Sequence, residues 1–273
     1  MITIKRLVPA LLATTLLVPG VAMAAEEDLY IEDVAFSFEG PFGTYDKYQL
    51  QRGFQVFEQV CAACHGIKLV AFRDLGAKTG PAFPVAQVKA IAKQYEVFDP
   101  EIDDTRPGKP HDRFPENTAA GAPDLSLMAK ARVGFRGPYG LGISQLINGM
   151  GGPEYIYSFL TGYTGEEEEM AGQTLYENRA FPARLTMMPP PLEDGAVEYA
   201  VYGEGESDYV PPEPTVEQMA EDVAAFLMWT AEPKLVERKK AGFRNVIYLI
   251  GLAVLLYFTN KAIWAPVKRK EEA

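Results

Sequence analysis

The chain has 273 residues, 48% of them hydrophobic and 23% charged, which suffices for one sizeable core and argues against wholesale disorder. Its formal net charge of −11 speaks against nucleic acid, whose phosphates it would repel, and suits a cationic partner drawn in by a field of opposite sign. Two cysteines three positions apart cannot build a disulfide framework.

Residues 1–24 read as a secretory signal peptide. Lys5 and Arg6 give a cationic start, Leu7 to Val18 is mostly apolar, and Ala22-Met23-Ala24 supplies the small residues a signal peptidase requires. The apolar run is short for a retained membrane helix. The segment after it opens acidic, with Glu26, Glu27 and Asp28.

The next strong signal is a helix. Asp46 followed by Gln49 is a capping-box-like start, and Leu50, Phe54, Phe57, Cys61 and Cys64 recur at helical spacing on one stripe, with Gly66 as a stop. The stripe ends in Cys61-Ala62-Ala63-Cys64-His65, a C-x-x-C-H motif, the signature of covalent haem attachment. Positions i and i+3 of a helix share a face, so both thiols can reach neighbouring vinyl groups on one haem edge. His65, next in line, then turns its imidazole toward the iron. The expectation is therefore two sulfurs on the buried face of an amphipathic helix. A thioredoxin-like redox pair would want a βαβ context that the sequence does not offer. A zinc site needs about four ligands, and only His111 remains as an obvious further donor.

Residues 66–120 read as short helical pieces between Pro- and Gly-containing loops, and residues 134–152 as a glycine-rich irregular insertion. Thr215 and Gln218 form a capping box that opens an amphipathic helix with Val216, Met219, Val223, Phe226 and Leu227 on one face. Pro233 sits where a further helix can begin. That helix runs through a basic stretch into the uncharged run Val246 to Phe258. Extended to Trp264, it reaches the ~20 residues that cross a bilayer, with Tyr248, Tyr257 and Trp264 as interfacial aromatics. Lys234, Arg238, Lys239, Lys240 and Arg244 precede the run, and Lys261, Lys268, Arg269 and Lys270 follow it, so the positive-inside rule does not orient it. The signal peptide does, by exporting what comes first. The expected organisation is a signal peptide at 1–24, a periplasmic haem c domain at 25–232, a C-terminal helix at 233–265 with the transmembrane anchor at about 245–264, and a cytoplasmic tail at 266–273.

A six-coordinate electron-transfer haem needs a second axial ligand, often Met. His111 lies in the polar stretch Lys109 to Arg113 and reads as a surface residue. Met128, Met219 and Met228 fall at helical apolar positions and read as core. Met187 and Met188 differ, because Pro189-Pro190-Pro191 follows them directly and locks a stiff, extended backbone. Residue chemistry alone does not choose between these neighbours.

Several stretches, in order, resemble the cytochrome c1 family of alphaproteobacterial type: FSFEGPFGTYD at 36–46, LQRGFQVFEQVCAACH at 50–65, APDLSLMAKAR at 122–132, GGPEYIYSFLTGY at 151–163, MPPPL at 188–192 and MAEDVAAFLMWTAEPK at 219–234. The resemblance implies a mainly α fold: a c-type cytochrome domain with long irregular loops plus one C-terminal transmembrane helix. It implies one covalently attached haem c per chain, with Cys61 and Cys64 as thioether positions and His65 and Met188 as axial ligands. It places Arg132 near a haem propionate, and Asn117, Pro123 and Tyr155 near the haem. It further implies a subunit of a dimeric cytochrome bc1 complex in the cell inner membrane. There the electron would pass from the Rieske iron–sulfur protein to a soluble cytochrome c, with cytochrome b as neighbour. The acidic charges at 26–28 and at Glu166 to Glu169 are candidate docking charges for a basic acceptor. Two rival readings are a membrane-anchored c-type cytochrome feeding a terminal oxidase or reductase, and an exported thiol-disulfide or zinc protein. Some bacterial relatives carry an extra cysteine pair before the ligand Met. This chain has none, which leaves open how the Met188 loop is braced.

Overall fold

The computed structural model describes residues 29–117, 121–132, 151–200 and 209–271. The signal peptide at 1–24, the acidic start at 26–28 and most of the glycine-rich insertion lie outside the described residues.

Helix α1 (Lys47–Gln59) begins where Asp46 Oδ1 accepts the N–H groups of Tyr48 (2.7 Å) and Gln49 (3.1 Å), which satisfies two of the helix's orphan donors. The Gln49 side chain does not close the capping box. Its Nε2 donates instead to Glu221 Oε1 (2.8 Å). The helix ends at Gln59, and Cys61–Ala63 forms a separate 3₁₀ turn. This corrects the expectation of one helix carrying both cysteines. Cys64 N–H (3.1 Å) reaches Cys61 O three residues back, which closes the 3₁₀ turn, and His65 N–H (2.9 Å) shares the same oxygen from four residues on.

Beyond the turn, a 3₁₀ segment (Phe72–Gly76) leads to α2 (Val85–Lys93) and to a small antiparallel hairpin of β1 (Glu96–Asp99) and β2 (Asp104–Pro107). A one-turn helix, α3 (Met128–Ala131), precedes α4 (Gly152–Thr161). Gly151 takes φ +74° to open α4, with Pro153 in its first turn, where a missing N–H costs nothing.

After α4 the chain forms an antiparallel sheet in the order β3-β4-β5: β3 (Tyr163–Met170), β4 (Gln173–Asn178) and β5 (Leu185–Thr186). Glu167 faces Tyr176, Met170 faces Gln173, and Tyr176 faces Thr186 on its other side. Ala171 (φ +52°) and Gly172 (φ +79°) make the hairpin tip. The acidic run Glu166 to Glu169, which read from the sequence only as a charge cluster, is an exposed strand.

At the centre lies α5 (Val216–Ala231), capped by Thr215 Oγ1 accepting Gln218 N–H (3.2 Å). From Met219 to Thr230 it is buried on nearly all sides rather than on one stripe, because α1, α3 and α4 all pack on it. The α1 and α5 backbones touch at Gly53, where a Cβ would lie 2.0 Å from Asp222 O. Phe226 meets the rings of Phe54 (5.6 Å) and Phe57 (5.8 Å). Each buried Phe contributes roughly 1.5–3 kcal/mol. Beside this contact, Arg52 binds Asp222 with two bonds of 2.7 Å. Tyr199 Oη (2.8 Å) and Gln218 Nε2 (3.2 Å) donate to the same carboxylate, so this buried charge is paired and hydrogen-bonded.

The last helix, α6 (Leu235–Glu271), starts two residues after Pro233 and continues past Pro266. Leu235 and Val236 are buried in the domain, and from Gly242 to Trp264 the helix is exposed. Leu235–Pro266 is long and apolar enough to cross a membrane. The described chain is thus mainly helical, with long irregular loops and one apolar C-terminal helix.

Candidate haem-attachment site

The 3₁₀ turn leaves Cys61 half-buried, Cys64 exposed and His65 half-buried. His65 Nδ1 lies 2.7 Å from Pro123 O. A proline carbonyl can only accept, so Nδ1 carries the proton, and in the neutral ring Nε2 keeps its lone pair. An imidazole held this way, by a carbonyl behind it, is oriented to ligate a metal through Nε2.

Asn117 Nδ2 donates to Ala62 O (2.9 Å) and Ala63 O (3.1 Å), taking up carbonyls at the end of the 3₁₀ turn. A Cβ on Gly66 would come within 2.9 Å of Asn117 N, so the glycine serves close approach as well as ending the turn. Residues 121–126 then lie along the turn. Leu125 N–H reaches Gly66 O (2.8 Å), Asp124 Oδ2 accepts Lys68 N–H (2.9 Å), and Ser126 Oγ accepts Leu69 N–H (3.0 Å). Pro123 is thereby fixed opposite the ring it orients.

Burial, with the neighbouring Cys64 second, pushes the Cys61 thiol up to about 12. A neutral thiol is a poor nucleophile and a poor metal ligand. Among the described residues, no group of three His, Cys, Asp or Glu side chains could hold a metal ion. The thiols and the carbonyl-backed imidazole fit a haem bonded through sulfur.

Arg132 and Tyr155 come together, the guanidinium lying 5.9 Å from the ring centroid. From Tyr155 a run of rings continues to Phe159 (6.1 Å) and Tyr163 (5.7 Å), and Tyr163 Oη donates to Met188 O (3.0 Å). Met188 N–H donates to Thr186 Oγ1 (3.2 Å). Met188 packs against the core, where Cys61, Ala62 and Met128 also pack, whereas Met187 is 64% exposed. His111 is exposed beside Asp112. Cys61, Cys64, His65, Asn117 and Pro123 thus form one hydrogen-bonded group, while Arg132, Tyr155 and Met188 are linked through ring contacts and the Tyr163 hydroxyl. Both border the same core. The bracing of Met188 by Thr186 and Tyr163 had no sequence signal.

The Cytochrome C1 family matches residues 36–267. A protein named cytochrome c1 from Cereibacter sphaeroides is 50% identical over 95% of this chain and 96% of its own length. Another of that name from Rhodobacter capsulatus is 42% identical over 97% of this chain and 98% of its own. A Bradyrhizobium diazoefficiens protein named cytochrome b/c1 is 41% identical over 84% of this chain, which covers 35% of that longer protein.

Proposed function

The chain belongs to the cytochrome c1 family, and from that membership we propose that it is the cytochrome c1 subunit of a quinol–cytochrome c reductase. In this reading it carries electrons from a Rieske iron–sulfur protein to a soluble c-type cytochrome. One haem c would be held by Cys61 and Cys64 through sulfur, with His65 and Met188 as the iron's protein ligands. The observation that carries the reading is the His65–Pro123 contact at 2.7 Å inside a C-x-x-C-H turn, because it reserves Nε2 for iron.

The haem, when bound, supplies a one-electron iron couple. The chain's own residues do the rest. Pro123 and Asn117 hold the imidazole and the attachment turn. Thr186 and Tyr163 fix the backbone at Met188, and partial burial of its side chain beside the core favours it over the exposed Met187. Arg132 offers a guanidinium to a propionate, a pairing that two parallel hydrogen bonds make strong. Rigid ligands change little between redox states, which keeps transfer fast, and no acid–base residue is required.

Cytochrome b is the proposed neighbour, supported by the name cytochrome b/c1 of the Bradyrhizobium relative. The domain faces the periplasm after removal of residues 1–24, with α6 crossing the inner membrane and 266–273 in the cytoplasm, in a dimeric complex. The exposed acidic strand from Glu166 to Glu169 suits salt-sensitive steering of a basic acceptor. The family match does not favour service to a terminal oxidase.

Met188→Leu with Met187 intact tests the ligand set by absorption and redox titration. The Met-ligated state should vanish with a large fall in potential. An unchanged spectrum would refute Met188. Haem staining after denaturing electrophoresis tests the thioether bonds, since only covalently linked haem stays on the chain.

A further inference from the structure

A tight loop at 37–44 lies against the start of α6. Glu39 N–H bonds Phe36 O (3.1 Å) and Thr44 N–H bonds Ser37 O (3.0 Å). Gly40 takes φ +64°, and a Cβ at Gly43 would sit 1.9 Å from Glu39 O, so the loop's shape is set by its glycines. Phe36 and Phe38 anchor it in the core. From α6, Lys239 Nζ donates to Phe38 O and to Gly40 O (2.6 Å), tying the loop to the helix.

This clamped loop presents Phe42, which is 71% exposed. Its one aromatic contact among the described residues is Phe243 of α6, at 5.3 Å and edge-on. Phe243 is itself 53% exposed and lies three residues before the uncharged run from Val246. Helical rise puts it only about 4.5 Å along the axis from that run. The polar layer of a bilayer is about 5–7 Å thick on each side of the hydrocarbon, so the Phe42–Phe243 pair falls within it. Lys240 and Arg244, both exposed on the same stretch, suit anionic lipid headgroups.

We propose that the Phe42 loop is a second membrane contact, inserting Phe42 into the lipid headgroup layer beside α6 and fixing the tilt of the domain on the bilayer. This rests on the reading that α6 crosses the membrane. A loop held by Lys239 cannot swing away independently, so Phe42 and the helix entry act as two points of support.

The test places a nitroxide on the full-length, haem-loaded chain in vesicles of zwitterionic and anionic phospholipid, at Phe42→Cys, at Leu252→Cys within the span, and at Phe98→Cys on β1 as the aqueous reference. Collision with oxygen, which concentrates in lipid, is compared with collision with a water-soluble nickel chelate. The Phe42 site should show an oxygen-to-nickel ratio severalfold above that at Phe98 and below that at Leu252. A Phe42 ratio equal to that at Phe98, with Leu252 lipid-exposed, overturns the contact and leaves the anchor standing. A Phe42 site closed to both quenchers overturns it in favour of protein cover. A Leu252 site open to the nickel chelate removes the anchor and the inference together.

Discussion

Glu154, in the first turn of α4, is fully buried, and neither of its carboxylate oxygens accepts a hydrogen bond. The charged groups facing it are Glu39 and Asp33, and Lys239 faces Glu39. Burial, reinforced by Glu39, pushes the Glu154 carboxyl up to about 8 from an ordinary 4.5. Between those values the folded chain holds a proton that the unfolded chain has released, so stability falls as pH rises through that window. The full shift corresponds to about 5 kcal/mol as an upper figure. For a domain of this size about 3 kcal/mol of it would lower the melting temperature by roughly 10 °C. Glu154→Gln mimics the protonated form and should remove this dependence. Thermal unfolding of the full-length chain in detergent, followed by circular dichroism from about pH 5 to pH 9, measures both. Wild type and variant should melt alike at the acid end, and the variant should melt higher at the alkaline end. Parallel curves for the two proteins would refute the reasoning. Glu39→Gln should flatten the profile in the same sense.

Two further outcomes follow from the packing. Asp222→Ala strands the Arg52 guanidinium in the α1–α5 contact and should cost about 3–5 kcal/mol in chemical denaturation, and an Arg52→Met, Asp222→Leu double variant should recover much of it. Thr186→Val keeps the volume but removes the acceptor for Met188 N–H, a loss of about 1 kcal/mol. With Met188 as the proposed iron ligand, it should raise severalfold the fraction of chains with Met188 detached on warming, read from the Met-ligated absorption band, while Met187→Val should leave that fraction unchanged.

The start of α1, the cap of α5 and the apolar run of α6 were legible because each is a local pattern: a side-chain oxygen before a periodic stretch, or length without charge. The 3₁₀ turn at Cys61 was not, since residues three apart share a face in both helix types and the bonds that hold its carbonyls come from Asn117, over fifty positions away. The sheet was hidden for a related reason. Glu166 to Glu169 shows no alternation of polar and apolar residues, being a strand with both faces in water, and a bulge between Tyr163 and Glu167 breaks its register. The paired methionines were indistinguishable by type. Only tertiary burial separates Met188 from Met187, and tertiary burial has no local signature.

The sheet has a consequence for where this protein can grow. Asn178 is wholly buried, its N–H held by Arg184 O (2.7 Å) and its amide Nδ2 by Phe159 O (2.7 Å), and Thr186 is locked opposite Tyr176. The chain from Asn178 to Met188 is therefore a gauge of fixed length. One added residue would trade the inward methionine for its outward twin. The other end of the hairpin, at Ala171 and Gly172, stops in open water, and loops of any length could be spliced there without disturbing the gauge.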